Sequence, residues 1–576
     1  MTESADTLRS RLTYEPKELQ FGTSGRRGEV VNLTQLEIYI NAFAEVQYLQ
    51  ALAVPDGGIV RGDDFYFASD LRPSSTRYVK EEQGYGEIGQ AVECAIRDAG
   101  MRPVNLGSIP TPALAYYALT RSRGSIMVTG SHIPFNRNGY KLNTSAGELL
   151  KEHEGPINAA VGRVREQVYS QPFADSQFNE RGLFKSGHRD LPGEVSEARS
   201  EYVDRYLSFF EGSSLGGKRI VVYQHSAIGR DLLVEILERL GADAIPMGRS
   251  DTFIPIDTEN IDKAQLAAVQ ALADEASAKH GPIFAVVSTD GDSDRPLILG
   301  VNGATAEVRF FGGDLVGMVV AEYLGADAVV VPISCNDAID RGRLARMVQP
   351  KTKIGSPYVI AGMEKARDRG RKVVCGWEAN GGFLTGSDIS RNNRVLTALP
   401  TRDAVLPILG VLFAATAKRV SLIELFAGLP RRFSRAALLR GIPRPLSLKL
   451  VRRFSPDDSR IEEAIFAPDG TTLLDSERLP LAAGESHERM MEDIRGQLEQ
   501  FFTPALGFGA IARLNYTDGV RVTFSGGDIA HFRPSGNADE LRIYGVADTQ
   551  ERADAIAEMG IREPHGILRL MEKAIS

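Results

Sequence analysis

Cysteine is scarce in this 576-residue chain: Cys94, Cys335 and Cys375 are odd in number, far apart, and no two are spaced as Cys-x-x-Cys. That excludes a disulfide framework and a thiolate zinc site, suits a reducing cytosol, and leaves all three as expected small buried apolar residues. Long hydrophobic runs are lacking too. The longest, 405–417, is interrupted by Pro407 and is too short to cross a bilayer. The amino terminus, Met1-Thr-Glu-Ser-Ala-Asp6, shows no charged-then-apolar signal pattern, so the expected location is the cytoplasm. Positive charge is not in excess either: 67 Lys and Arg stand against 75 Asp and Glu, a net charge of -8. That balance argues against nucleic acid or a membrane surface as partner and for a small molecule.

What is present is ordinary globular composition, 43% hydrophobic and 25% charged, in a chain long enough for about four domains at ~150 residues each. Three times a short β-rich run ends abruptly in a polar, glycine-bearing turn. Ser125-Ile-Met-Val-Thr129 meets Gly130-Ser131-His132, Ile283-Phe-Ala-Val-Val287 meets an aspartate cluster, and Lys372-Val-Val-Cys375 meets Gly376-Trp377-Glu378-Ala379-Asn380-Gly381-Gly382. Helical stretches lie between them; in 265–279, Leu266, Val269 and Ala273 keep one face apolar and Gly281-Pro282 supplies the stop. The alternation implies predominantly parallel sheets covered by helices, with ligands beyond the carboxyl ends of the strands. The last part reads differently. Val520 to Phe524, a Gly526-Gly527 turn and Ile529 to Arg533 form an expected hairpin, 541–546 a further strand and 550–559 a helix. The expected fold class is therefore α/β: three tandem mixed α/β sheet domains (1–200, 201–305 and 306–430) plus a C-terminal α+β domain (431–576) around one central cleft. Residues 170–196 read as a long loop, 456–488 as a mixture of charges and turn residues, and His487-Glu488, lacking a second histidine, as a surface helix.

The stretch Thr289-Asp290-Gly-Asp292-Ser-Asp294-Arg295 places three carboxylates at alternate positions with an arginine behind them. Such a turn repels itself at neutral pH, so it is tolerable mainly where a hard cation collects the oxygens. A calcium loop of the EF-hand type would need glycine at its sixth position and glutamate at its twelfth; Arg295 and Val301 stand there instead. A divalent-metal loop and a solvated acidic turn remain as alternatives on this motif alone.

Five motifs in order resemble the α-D-phosphohexomutase superfamily, which includes phosphoglucomutases and phosphomannomutases. Phe21-Gly-Thr-Ser-Gly-Arg-Arg27-Gly28 is similar to its amino-terminal signature, and Thr129-Gly-Ser131-His132-Ile-Pro134 with Asn138-Gly-Tyr-Lys141 to its phosphoserine loop. Asp290 to Arg295 is similar to its metal loop, Gly376 to Gly382 to its sugar loop, and Arg533-Pro-Ser535-Gly536-Asn537 with Arg542 to its phosphate-binding loop. Singly each is weak; their ordered occurrence along nearly the whole chain carries the resemblance.

The resemblance implies an intramolecular phosphotransferase that interconverts hexose 1-phosphate and hexose 6-phosphate, of mannose or glucose, through a phosphoserine. A phosphoryl group cannot cross the ring in one step, so Ser131 is the expected carrier and a hexose 1,6-bisphosphate the expected intermediate and activator. Mg²⁺ is the expected cofactor, held by Asp290, Asp292, Asp294 and the phosphorylated Ser131. Arg27 and Lys141 inherit proton-transfer or charge-stabilising roles, Arg295 a second contact to the phosphate, and His132 either orients phosphate or hydrogen-bonds within the turn. Glu378 and Asn380 would read the sugar, and Arg533, Ser535, Gly536, Asn537 and Arg542 would clamp the distal phosphate. By the same resemblance the four domains carry the phosphoserine, the metal loop, the sugar loop and the phosphate clamp in turn.

The departures bear on substrate. Gly130 and Ile133 replace the usual alanine and asparagine, Asn537-Ala538-Asp539 replaces Thr-Glu-Pro, and the sugar loop reads Glu-Ala-Asn-Gly-Gly with Gly382 where a histidine is expected. Phosphoacetylglucosamine or phosphoglucosamine mutase is the alternative; a phosphoserine-intermediate phosphatase or a non-catalytic sugar-phosphate binder would have less use for carrier, metal loop and distal clamp together. No motif bears on self-association.

Overall fold

The computed structural model describes residues 6–259, 261–482, 484–534 and 539–575. The chain forms two compact units, one from Met1–Gly325 and Lys372–Phe426, the other from Ala326–Arg371 and Ala427–Ser576.

Three principal sheets build the first unit, beside two small two-stranded ones, Tyr78–Val79 with Tyr85–Gly86 and Ile389–Arg391 with Arg394–Leu396. The first runs Arg26–Glu29, Arg137–Thr144, Ser125–Val128, Asp64–Ser69, Arg102–Ser108; its last three strands are parallel, while Arg137–Thr144 is antiparallel to both of its neighbours. The helices Gln35–Ala51 and Ile88–Asp98 belong to its core, and Thr34 caps the former by accepting from the Glu37 N–H. The second sheet runs Asp243–Arg249, Arg219–His225, Ala285–Thr289, Pro296–Val301, Val308–Phe310, with three parallel strands followed by two antiparallel ones. Val374–Trp377, Phe383–Thr385 and Leu399–Asp403 pair antiparallel. The helix Val405–Lys418 is buried almost all round, which accounts for the longest apolar run, and Pro407 sits in its first turn, where a missing N–H breaks no helical bond.

The sheets are thus mixed rather than predominantly parallel. Each of the three polar loops joins antiparallel strands: Thr289 pairs with Pro296 across the aspartate turn, Val128 with Tyr140 across the serine loop, and Trp377 with Phe383 across the sugar loop. The loops still lie at carboxyl ends of buried strands. Residues 170–196 hold no helix or strand, yet they are not loose, for Phe178 and Phe184 stack at 4.9 Å and enter the first core.

In the second unit a seven-stranded antiparallel sheet runs Phe433–Arg440, Glu540–Ala547, Ile529–Pro534, Val520–Phe524, Ile511–Asn515, Glu463–Ala467, Gly470–Leu474. Residues of Arg444–Arg453, Glu485–Glu499, Gln550–Ile561 and Ile567–Ile575 complete its apolar core. The expected C-terminal hairpin, strand and helix are all present. The segment 456–488 contains a further hairpin that the charge pattern hides, turning at Pro468-Asp469 with Ala467 opposite Gly470. Ala326–Arg371 is tied to this sheet by polar bonds: Arg521 Nη1 donates to the Ile333 carbonyl at 2.6 Å, and the Ile354 N–H donates to Asp518 Oδ2 at 3.0 Å. All three cysteines are buried, and among the described residues no helix is long and apolar enough to cross a membrane.

Candidate active site

Ser131 follows the strand Ser125–Val128 at a positive φ of 54°, unfavourable for a residue with a side chain and sustained only by surrounding contacts. Those contacts come from Asp70 and Arg72. Asp70 Oδ2 accepts from Thr129 Oγ1 at 2.8 Å and from the Gly130 N–H at 3.3 Å. The buried Arg72 guanidinium donates to the carbonyls of Ser131 (3.0 Å), Pro134 (2.7 Å), Arg137 (2.8 Å) and Ile133, while Phe253 lies against it at 3.9 Å. One side chain thus satisfies four backbone acceptors of the loop. A Cβ on Gly130 would come 2.5 Å from Arg72 Nε, which explains glycine where alanine is usual.

The loop delivers the Ser131 hydroxyl, itself buried, to the aspartate turn: Oγ donates to Asp290 Oδ2 at 2.7 Å. Asp290 Oδ1 accepts the N–H groups of Asp294 (3.1 Å) and Arg295 (3.2 Å), so one carboxylate both closes the turn and holds the serine. Asp292 Oδ2 accepts from Thr111 Oγ1 at 2.5 Å and from Lys141 Nζ at 2.7 Å; Asp294 Oδ2 accepts from Lys141 Nζ at 2.6 Å and Arg402 Nε at 2.9 Å. All three aspartates are buried. Burial, and then the charges of Asp292 and Asp294, push Asp290 well above the usual carboxylate range. Burial alone would raise the other two as well, but Lys141 holds Asp292 down, and Arg402 and Lys141 hold Asp294 down.

Carboxylate oxygens of Asp290, Asp292 and Asp294 lie within 4.8 Å of one another. Asp292 Oδ1 and Asp294 Oδ1 are buried without a hydrogen bond, the latter with Arg295 Nε 3.5 Å away. Orphaned anionic oxygens of this kind are costly unless a cation meets them, so the donor set fits a hard divalent ion. A solvated acidic turn does not describe it.

Arg27 Nη1 donates to the carbonyls of Arg26 (2.8 Å) and Tyr140 (3.1 Å). Burial, opposed by Asp292 and reinforced by the Arg72 and Arg402 charges, brings its guanidinium down to about 10. Gly25, at φ +71°, has the Tyr140 carbonyl where a Cβ would go, so the signature glycine lets this strand approach the one that carries Lys141. His132 Nδ1 lies 2.8 Å from Arg295 Nη1 and 3.5 Å from Ser131 Oγ. Burial and the Arg295 charge push this imidazole well below its ordinary value, so it is neutral and its Nδ1 lone pair accepts from Arg295.

Glu378 is buried on the sugar loop with Oε2 accepting from Arg402 Nη1 at 3.0 Å. Asn380 Oδ1 accepts the Gly382 N–H at 3.0 Å and its carbonyl accepts from Thr258 Oγ1 at 2.7 Å, so much of this residue shapes the loop. Sequence reasoning misses Thr111, Arg72 and Arg402; none lies in a motif, and only the glycines opposite the two arginines hint at them.

The second unit carries the remaining expected residues. Arg533 and Arg542 stand opposite each other on adjacent antiparallel strands, and Arg533 Nη1 is 3.6 Å from Asp518 Oδ2. Ser535, Gly536 and Asn537 lie outside the described residues.

Residues 18–167 match phosphoglucomutase/phosphomannomutase, alpha/beta/alpha domain I, and residues 312–433 match alpha/beta/alpha domain III. A phosphomannomutase of Sinorhizobium fredii (strain NBRC 101917 / NGR234) is 34% identical over 544 residues, covering 94% of this chain and 98% of its own. A phosphomannomutase of Salmonella muenchen is 35% identical over 547 residues, 94% of each chain. A phosphoglucomutase/phosphomannomutase family protein from Burkholderia thailandensis shares the fold at a TM-score of 0.59 and 16% identity, with 96% of this chain and 97% of that one covered. The chain belongs to the phosphoglucomutase/phosphomannomutase family.

Proposed function

We propose that this protein is a hexose-phosphate mutase that interconverts mannose 1-phosphate and mannose 6-phosphate, and the glucose pair, through a phosphate carried on Ser131. The observation that carries the reading is the Ser131 hydroxyl bonded to Asp290 inside a buried aspartate turn that also binds Lys141. Its support in likeness is the pair of phosphomannomutases that match 94% of the chain.

In the proposed cycle the bond from Ser131 Oγ to phosphorus breaks as O6 of a hexose 1-phosphate takes the phosphoryl group; the O6 hydroxyl gives up its proton and Ser131 Oγ takes one up. The resulting 1,6-bisphosphate turns over in the site. Its O1 phosphoryl group passes to Ser131, whose hydroxyl gives up its proton as the departing O1 takes one, and hexose 6-phosphate leaves. Lys141 and Arg27 stabilise charge and assist proton transfer at the reacting oxygens. Arg295 contacts the transferring phosphate, and His132 keeps that arginine in place rather than acting as base on Ser131, since its lone pair is already engaged. Asp290, Asp292, Asp294 and Ser131 would hold Mg²⁺, which when bound supplies positive charge to the phosphoryl oxygens. Glu378 and Asn380 read the sugar, while Arg533, Ser535, Gly536, Asn537 and Arg542 take the distal phosphate. That binding orients the reacting end.

The test is phosphorus NMR of each hexose 1-phosphate with the purified protein. Conversion of mannose and glucose 1-phosphate to their 6-phosphates supports the reading. A tenfold preference for an N-acetylglucosamine phosphate, about 1.4 kcal/mol of differential transition-state binding, would replace the substrate. Stoichiometric release of inorganic phosphate would replace the reaction.

A further inference from the structure

Arg402 lies on the strand Leu399–Asp403 with its side chain 4% exposed, and its buried charge meets two carboxylates of different loops. Nε donates to Asp294 Oδ2 at 2.9 Å and Nη1 to Glu378 Oε2 at 3.0 Å. The route is open only because residue 382 has no side chain: a Cβ there would lie 2.5 Å from Arg402 Cδ and 2.7 Å from Cγ. The turn beneath it is closed by the Gly381 N–H donating to the Glu378 carbonyl at 2.9 Å and by the Glu378 N–H donating to the Gly382 carbonyl at 3.2 Å. The Arg402 bond engages Oε2 of Glu378.

We infer that Arg402 is the positioning residue for sugar recognition in this chain, holding Glu378 by one oxygen so that the other is presented to the sugar hydroxyls at a fixed distance from the aspartate turn. This inference rests on the mutase reading and deepens it. A carboxylate free to rotate offers either oxygen in many geometries and discriminates poorly between hydroxyl configurations; one pinned by a buried guanidinium offers a single acceptor with fixed lone pairs. The guanidinium also joins two buried carboxylates, and its removal would leave Asp294 to Lys141 while taking from Glu378 the donor to Oε2. The missing side chain at Gly382 and the arginine at 402 are two halves of one device, the arginine stem filling space that a loop histidine would take.

The test compares Arg402→Ala, Arg402→Lys and Gly382→Ala with wild type, measuring kcat/KM for glucose 1-phosphate and galactose 1-phosphate, which differ at the C4 hydroxyl, and for mannose 1-phosphate, which differs at C2. Arg402→Ala and Gly382→Ala should each cut the glucose-over-galactose preference at least tenfold and leave the mannose-to-glucose ratio within about threefold of wild type. Arg402→Lys should recover only part of the preference, because an ammonium cannot hold both carboxylates in the same fork. Equal losses on all three sugars, with the C4 preference intact, would overturn the inference and leave Arg402 a structural residue. Should Arg402→Ala not fold, Gly382→Ala decides alone, since it moves the arginine without removing charge. A wild-type protein that converts none of the sugars overturns the mutase reading instead, and that result is visible before any variant is made.

Discussion

Gly130 lies directly beneath the guanidinium of Arg72, so close that a single added carbon would meet Nε at 2.5 Å. The arginine is in turn the donor to four carbonyls of the serine loop. Gly130→Ala is therefore expected to push Arg72 off the loop and lower both the melting temperature and the turnover, although alanine is common at this position elsewhere in the family. Arg72→Ala should cost more, about 3–5 kcal/mol, because Asp70 then loses its buried cation and the loop loses its donors. Thermal unfolding and steady-state rates of the two variants check this; a Gly130→Ala protein indistinguishable from wild type in both would show that the contact constrains nothing.

Ser131→Ala removes the proposed carrier. Peptide mass spectrometry of active wild type should find a phosphate on Ser131, and the alanine variant should lose nearly all turnover. Retention of activity within about tenfold, ~1.4 kcal/mol in barrier, means that the phosphate travels by another route.

Chelator in excess should abolish turnover and Mg²⁺ should restore it, with Asp292→Asn severely impaired. Because Asp292 also holds Lys141 at 2.7 Å, the asparagine variant weakens one of the two carboxylate bonds on that ammonium as well as the cation site. Isothermal titration of Mg²⁺ into wild type and variant separates the two effects: unchanged affinity with lost rate assigns the damage to Lys141. Undiminished turnover in chelator would remove the metal from the mechanism.

Dephosphorylated protein should be inactive until primed. Catalytic amounts of glucose 1,6-bisphosphate should start turnover of glucose 1-phosphate with no lasting consumption of the bisphosphate. A rate that ignores the primer excludes a carrier that must be loaded before the first cycle.

The chemistry of the aspartate turn is legible because its signal is local: three like charges within five residues are unstable without a cation, and the fold buries all three. The C-terminal hairpin at 520–533 is legible for the same reason, alternation on either side of a Gly-Gly turn. Arg72 and Arg402 are not, because an arginine's partners are set by tertiary packing, and Leu71-Arg72-Pro73 and Thr401-Arg402-Asp403 are ordinary tripeptides in sequence. The strand-loop-helix reading fails where the polar loops return as antiparallel strands, since strand periodicity reports burial and not the direction of the neighbour. The edge hairpin at 463–474 is hidden among charges, though Asp469-Gly470 is itself a turn signal.

The excursion of the chain through Ala326–Arg371 before it returns at Lys372 has a consequence during synthesis. A nascent chain that ends at Gly325 already contains Ser131, Lys141 and the whole aspartate turn, but neither Glu378 nor Arg402. The guanidinium that donates to Asp294 Oδ2 at 2.9 Å is supplied only once the ribosome has passed residue 402. The first unit cannot be completed before Phe426 is made. Its two stretches are separated by residues 326–371, so no single cut of the gene releases it whole.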